Sequence, residues 1–234
     1  PDAVEETRSG SVSWRRRFVE VGRDSRKSDR DTLRVWTGLE GALSNDWEWS
    51  TWIGYGKFKQ KQVRRNELNF QHIQFALDIE DDGNGGFQCS NTGARALGCV
   101  PLDIFGENSI TPEAADYIRA TATLDQENTQ TTFAARLTGD AFELPAGPVR
   151  FATGIDYRKE EQETDGDDLV NTGVTGFAAI SDLKGQYDVS EAFLEFDIPL
   201  IADKPGVRKL NLDTAIRVGE YDTIGSVSAW KVGG

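Results

Sequence analysis

The sequence predicts an all-β chain of antiparallel strands of the kind that build a transmembrane barrel: a partial barrel with long extracellular loops and one short helix in the longest of them. Three observations carry this expectation. Apolar and polar residues alternate with a period of two along run after run, tight and long connections alternate between the runs, and large aromatics gather near the ends of the runs.

The runs follow in order. Residues 12–21 fit a first strand, and 23–30 read as a connection. In the second strand, Leu33, Val35, Thr37, Leu39 and Leu43 share one face, and Arg34, Trp36 and Glu40 share the other. Ser44-Asn45-Asp46 has the composition of a hairpin turn and leads into a run at 47–63. The segment 64–125 is the longest connection, and 129–143 resumes the alternation. Leu144-Pro145-Ala146-Gly147-Pro148 is another tight turn. After it, Val149, Phe151, Thr153, Ile155 and Tyr157 face away from Arg150, Asp156 and Arg158. A long connection at 164–184, a run at 187–200 and a turn at 201–208 come next. Leu210, Leu212, Thr214, Ile216 and Val218 then oppose Asn211, Asp213, Ala215 and Arg217. The short link Asp222-Thr223-Ile224-Gly225 precedes a last run at 225–232, which makes about eight strands. The long connections fall on one rim and the tight ones on the other, as in a membrane barrel, with 222–225 as the exception.

A soluble β-sandwich or small barrel would alternate in the same way. Two features favour the membrane barrel. Several runs exceed the five or six residues usual in globular sheets. Trp47, Trp49, Phe151, Tyr157 and Trp230 also lie near strand ends, where interfacial aromatic girdles sit.

Composition excludes other classes. With 38% hydrophobic residues and a mean hydropathy of -0.50, no stretch approaches the roughly 20 apolar residues of a spanning helix. A net charge of -13 argues against nucleic acid, because Trp14-Arg15-Arg16-Arg17 is the one dense basic patch. The chain has no methionine, opens on Pro1-Asp2 without a signal peptide and stops just after a strand-like run, so both ends read as cuts within a longer protein.

The long loop at 64–125 carries both cysteines, Cys89 and Cys99, which would form a disulfide in an oxidising compartment. Structural zinc wants four ligands, and His72 is the single histidine, read as a packed or hydrogen-bonded loop residue. The acidic run at 78–86 begins like a calcium loop, but Cys89 occupies the position of the closing bidentate glutamate, so it reads as a solvated turn. Residues 109–118 predict the short helix, with Thr111 as N-cap and Pro112 at its first position. Glu160-Glu161 and Asp167-Asp168 are adjacent rather than facing, and no phosphate loop, nucleophile elbow or zinc-protease motif is present. The chain is expected to have no enzymatic activity and no cofactor.

The block Ala94-Arg95-Ala96-Leu97-Gly98-Cys99-Val100-Pro101-Leu102-Asp103-Ile104-Phe105-Gly106, followed by Ser109-Ile110-Thr111-Pro112 and Ala115-Asp116-Tyr117-Ile118, resembles the disulfide loop of one group of TonB-dependent receptors of Gram-negative bacteria. Ser190-Glu191-Ala192-Phe193-Leu194-Glu195, the run at 215–226 and Trp230-Lys231-Val232-Gly233 resemble successive barrel strands of that family. The resemblance spans residues 32 onward. It implies a barrel of roughly 22 strands with a plugged lumen, of which this chain would be an internal segment (1–234) without the plug, the coupling segment or the final strand. It also implies a place in the outer membrane among its lipids. The function implied is binding and import of a scarce nutrient such as an iron chelate, cobalamin or an oligosaccharide, driven by a TonB-type coupling protein acting on the plug. The other reading of the same residues is a secreted or surface β-sandwich that binds glycans or a protein partner. For the ligand vestibule, rigid aromatics point to the loop around Phe87, Arg95 and Phe105, and to Phe177.

Overall fold

Period-two alternation becomes strand almost throughout, and the strands run further than their apolar stretches. A computed structural model of the chain describes residues 5–6, 12–44 and 46–234. Of the described residues about 63% are strand and about 13% helix, and the sheets are mostly antiparallel. The elements in order are β1 (Glu5–Glu6), β2 (Val12–Ser13), a 3-10 turn at Val19–Val21, β3 (Ser25–Ser44), β4 (Trp47–Leu68), α1 (Phe70–Leu77), β5 (Ile79–Asp81), β6 (Phe87–Cys89), α2 (Thr92–Ala96), α3 (Pro112–Ile118), β7 (Arg119–Leu144), β8 (Gly147–Gly166), α4 (Asp168–Thr172), β9 (Leu183–Lys204), β10 (Val207–Tyr221) and β11 (Gly225–Gly233).

Among the described residues, seven strands form one sheet in the order β11-β10-β9-β8-β7-β4-β3, and β1-β2 and β5-β6 form two small ladders. Each long strand beyond β4 lies beside its predecessor in the chain, so the sheet is an up-and-down meander whose ends, β3 and β11, have one neighbour each. Side chains fix the register where it matters. Thr51 Oγ1 donates to the Ala134 carbonyl at 3.1 Å, Lys57 pairs with Glu127, and Lys61 reaches Asp125 at 3.4 Å. Residue numbers thus fall on β7 as they rise on β4, as antiparallel neighbours require. On β9 and β10, Leu194 faces Ile216 and Phe196 faces Thr214, with an irregularity at Leu210/Asn211.

Several expectations are corrected. Residues 14–18 are not strand, because Arg16 turns inward to an ion pair with Glu20 at 2.5 Å and to the carbonyls of Ile104 and Gly106. Of the predicted connection 23–30, residues 25–30 are strand, since β3 begins at Ser25. The long connection spans 69–118 rather than 64–125, and it holds three helices instead of one, with α4 a fourth in the next connection. The predicted turn at 44–46 includes Asn45, which lies outside the described residues.

The chain divides into two compact units. Unit 1 comprises Pro1–Asp29, Gln60–Asp125 and Thr164–Asp182; unit 2 comprises Arg30–Lys59, Gln126–Glu163 and Leu183–Gly234.

Unit 1 is organised by its helices. Each starts on the same device: the side-chain oxygen of Asn69, Asn91, Thr111 or Asp167 accepts the N–H three residues on. Ala76 of α1 and Ala114 and Ala115 of α3 are sealed in a cluster with Val21, Ile73, Leu102, Ile110 and Ile118. These small side chains let backbone meet backbone, as in the bonds from Leu102 N to the Ala76 carbonyl and from Asn69 N to the Ile118 carbonyl, both 2.9 Å. The Cys89–Cys99 disulfide is formed and ties β6 to the turn after α2.

Unit 2 is sheet with two different faces. On one lie Leu33, Val35, Leu39 and Leu43 of β3, Ile53 of β4, Phe133 of β7, Ile155 of β8, Leu194 of β9, Ile216 and Val218 of β10, and Trp230 and Val232 of β11, all exposed. Aromatics bound this apolar face. At one end Trp47 lies over Gly139 and meets Phe151 edge-on at 4.9 Å, and Trp49 covers Gly41. At the other, Tyr55 and Tyr157 end the apolar run, and Lys57, Lys159 and Glu161 continue the same face beyond them. Tyr157 therefore marks the end of the apolar band and not the end of its strand. From Trp47 to Tyr55 the rise is about 26 Å at 3.3 Å per residue.

Candidate functional site

The four side chains singled out from the sequence all belong to unit 1, and the structure gives them different surroundings. Phe87 on β6 and Phe105 in the loop before α3 are 66% and 69% exposed. Arg95 pairs with Glu80 across 2.6 Å, which fastens α2 to β5. Phe177 is only 8% exposed, packed with Ala122, Leu124 and Val170, and its ring is capped by the Arg64 guanidinium 3.4 Å from the centroid. Among the described residues no ring pair joins the three phenylalanines. Phe87 and Phe105 are left as presentable aromatics, while Phe177 holds the α4 loop in place.

The rest of the loop is self-satisfied. His72 stacks on Tyr117 with centroids 4.4 Å apart, and its Nδ1 lies 2.6 Å from the Tyr117 carbonyl. Burial pushes the Tyr117 hydroxyl above its ordinary pKa. In the acidic turn, Asp82 Oδ1 accepts the N–H groups of Asn84 at 2.7 Å and Gly86 at 2.9 Å, which holds its carboxyl below the usual carboxylate range. That carboxylate closes its own turn. Among the described residues no group of three or more His, Cys, Asp or Glu side chains is placed to hold a metal ion.

The second candidate lies in unit 2, on the sheet face opposite the apolar one. Arg34, Trp36, Gly38 and Glu40 of β3 stand there beside Trp52, Gly54, Gly56 and Phe58 of β4. Cross-strand proximities fix this orientation: a Cβ at Gly54 would lie 3.6 Å from that of Trp36, and one at Gly38 would lie 3.0 Å from that of Trp52. Gln130 of β7 joins them, its amide donating to Glu160 of β8 at 3.0 Å. The Glu160 carboxylate also meets Arg158 at 3.4 Å, and Arg158 lies over the ring of Tyr187 of β9 at 6.0 Å. Of the hollows that open on this face, two, of about 710 and 510 Å³, are both lined by Arg34, Gly56 and Gln130.

Further along the same face Arg217 bonds Glu191 at 2.9 Å, approaches Asp156 at 3.8 Å and lies 5.4 Å from the Phe193 ring centre; Arg136 approaches Asp156 from the other side. This chain of alternating charge laces four strands together. The tryptophans here were not singled out from the sequence. The available signal was an aromatic on the polar face of an alternating strand, where Trp36 stands between Arg34 and Glu40.

No protein-family model matches the chain, and no curated protein matches it. What the site can do therefore rests on its own chemistry: aromatic surface, amide and guanidinium donors and paired carboxylates suit non-covalent binding.

Proposed function

We propose that this chain is part of the wall of an outer-membrane active-transport receptor of the TonB-dependent kind, which binds a scarce nutrient and imports it with energy delivered by a periplasmic coupling protein. The observation that carries this reading is the exposed apolar face of unit 2. Residues such as Ile216, Val218 and Leu39 turn to the surroundings while charged side chains occupy the opposite face. Water disfavours that arrangement at about 25 cal/mol per Å² of apolar surface, whereas hydrocarbon welcomes it. The aromatic bounds agree with a lipid-facing barrel strip, and a run of about 26 Å along strands tilted by roughly 35–45° would span about 20 Å of an apolar band roughly 25 Å tall. A sandwich would cover this face with a second sheet, and the exposure of these residues weighs against that.

The test is insertion. The chain is refolded into phosphatidylcholine vesicles containing lipids brominated at mid-chain, and tryptophan emission is recorded for the wild type and for Trp230→Phe. The reading expects brominated lipid to quench the wild type, with a smaller quenched fraction in the variant. A chain that stays monomeric in buffer without detergent and shows no quenching would remove the membrane reading and leave a surface binding protein.

A further inference from the structure

We infer that the polar face of unit 2 carries a subsite for a neutral oligosaccharide, floored by Gly56 and walled by Trp36 and Trp52. The inference deepens the receptor reading by naming the class of nutrient imported.

Gly56 is the starting point, because nothing among the described residues requires a glycine there. Its backbone is outside the left-handed region that favours glycine, and a Cβ built on it would meet no atom within 4 Å. Gly38 and Gly54 on the same face differ: a Cβ at either would fall 2.7 Å from an oxygen, of the Thr51 carbonyl or the Thr132 hydroxyl. Those two glycines serve strand packing. Gly56 instead leaves bare floor in both hollows, and glycine in a strand interior without a packing reason marks a place where something else approaches the backbone.

The walls specify what approaches. Trp36 is 72% exposed between Arg34 and Glu40 on this face, and Trp52 stands on the neighbouring strand with Gly54 between them in the lining. Their indoles offer flat apolar area with a single N–H donor each. The Arg34 guanidinium, common to both hollows, makes no hydrogen bond or ion pair among the described residues and presents its planar set of donors to the open space. Gln130 keeps its amide oxygen available after donating to Glu160. The lining charges balance, with Arg34 and Lys57 against Glu160 and Glu161 in one hollow and Arg34 against Glu40 in the other, so the site has no net charge to select an anionic chelate or a cation. A ligand matching this set is neutral, with flat C–H faces to lie on indole and a rim of hydroxyls to meet guanidinium, amide and carboxylate. Pyranose rings have that anatomy. Each hollow falls within the roughly 300–1,000 Å³ of small-molecule sites, and two sharing one floor suit a short chain of rings rather than a single one.

The test uses the chain refolded in detergent micelles, titrated calorimetrically with maltohexaose, cellohexaose and mannohexaose, and with an anionic ferric tris-catecholate for contrast. At least one hexaose is expected to bind, and the chelate is not. Trp36→Ala should weaken that binding at least tenfold, and Gly56→Leu should abolish it with an unchanged circular dichroism spectrum and melting temperature, because the new side chain has free space. Trp230→Ala on the opposite face should leave affinity unchanged. No binding by any of the three hexaoses, or an affinity untouched by Gly56→Leu, overturns the inference. Vesicle insertion without sugar binding defeats this inference and spares the receptor reading; sugar binding by a chain that does not insert does the reverse.

Discussion

Ile118 of unit 1 is completely buried among Val21, Ala114 and Ala115, whereas Ile216 of unit 2, the same side chain in an equally regular element, is 51% exposed beside other exposed apolar residues. Unit 1 gathers its apolar groups inward around short capped helices and crosses its core with backbone hydrogen bonds, as a protein in water does. Unit 2 turns them outward and lines its other face with ion pairs. The difference teaches that similar apolar residues are turned inward in one unit and outward in the other within one chain, and that average hydropathy, which sums both, conceals the contrast.

The strongest way to break this comparison is to perturb the two isoleucines in parallel. Ile118→Ala should lower stability by about 2–5 kcal/mol through lost burial and a cavity, whatever surrounds the protein. Ile216→Arg should cost about 2–4 kcal/mol in vesicles, but within about 0.5 kcal/mol if that face meets water. Urea unfolding of both variants, with and without lipid, separates the cases, and an Ile216→Arg effect indifferent to lipid would collapse the distinction. Next in size is the disulfide. Replacing Cys89 and Cys99 with serine should cost unit 1 about 2–3 kcal/mol. Limited proteolysis should then cut within 80–100 at lower urea while unit 2 strands keep their resistance; simultaneous loss of both would show one cooperative block. The smallest effect is at Asp82. Its carboxyl is held below the usual range by the Asn84 and Gly86 N–H groups, so its contribution is complete above the ordinary carboxylate pKa and disappears as pH falls through the depressed value. The amide NMR signals of Asn84 and Gly86 should therefore titrate below the ordinary carboxylate range. A midpoint at the ordinary value would show that the turn does not hold the charge.

The sheet was legible because alternation is a direct imprint of the pleat. Leu210, Leu212, Thr214, Ile216 and Val218 share a face in the sequence pattern and in the ladder with β9. Strand ends were less legible. Residues 25–30 carry Arg26, Lys27, Asp29 and Arg30, with no apolar side to betray a strand, yet they belong to β3. Strand beyond the apolar band is held by backbone pairing, which side-chain pattern does not report. Conversely, 12–21 alternates in outline, but Arg16 has partners about 90 residues away that no local pattern contains. Of the helices, α3 announced itself through Thr111 and Pro112. The other three begin on Asn69, Asn91 and Asp167, equally readable caps, but each helix is eight residues or shorter, too brief for a periodic face to stand out. The candidate site was illegible for a different reason. A hollow needs Arg34, Gly56 and Gln130 together, and the register between β4 and β7 that unites them is set across the long connection.

The inward turn of Arg16 carries a consequence for the order in which the molecule comes together. Its guanidinium is bound by the Ile104 and Gly106 carbonyls and the Ser109 hydroxyl, which follow it by 88 to 93 residues. During synthesis from the N-terminus, that cation and its local partner Glu20 are made long before these three distant acceptors exist. Contacts of such separation carry the loop-closure entropy that slows folding. The segment around Arg16 is therefore among the last parts of unit 1 to settle, and it acts as a latch that closes only when the 103–109 loop already has its final form.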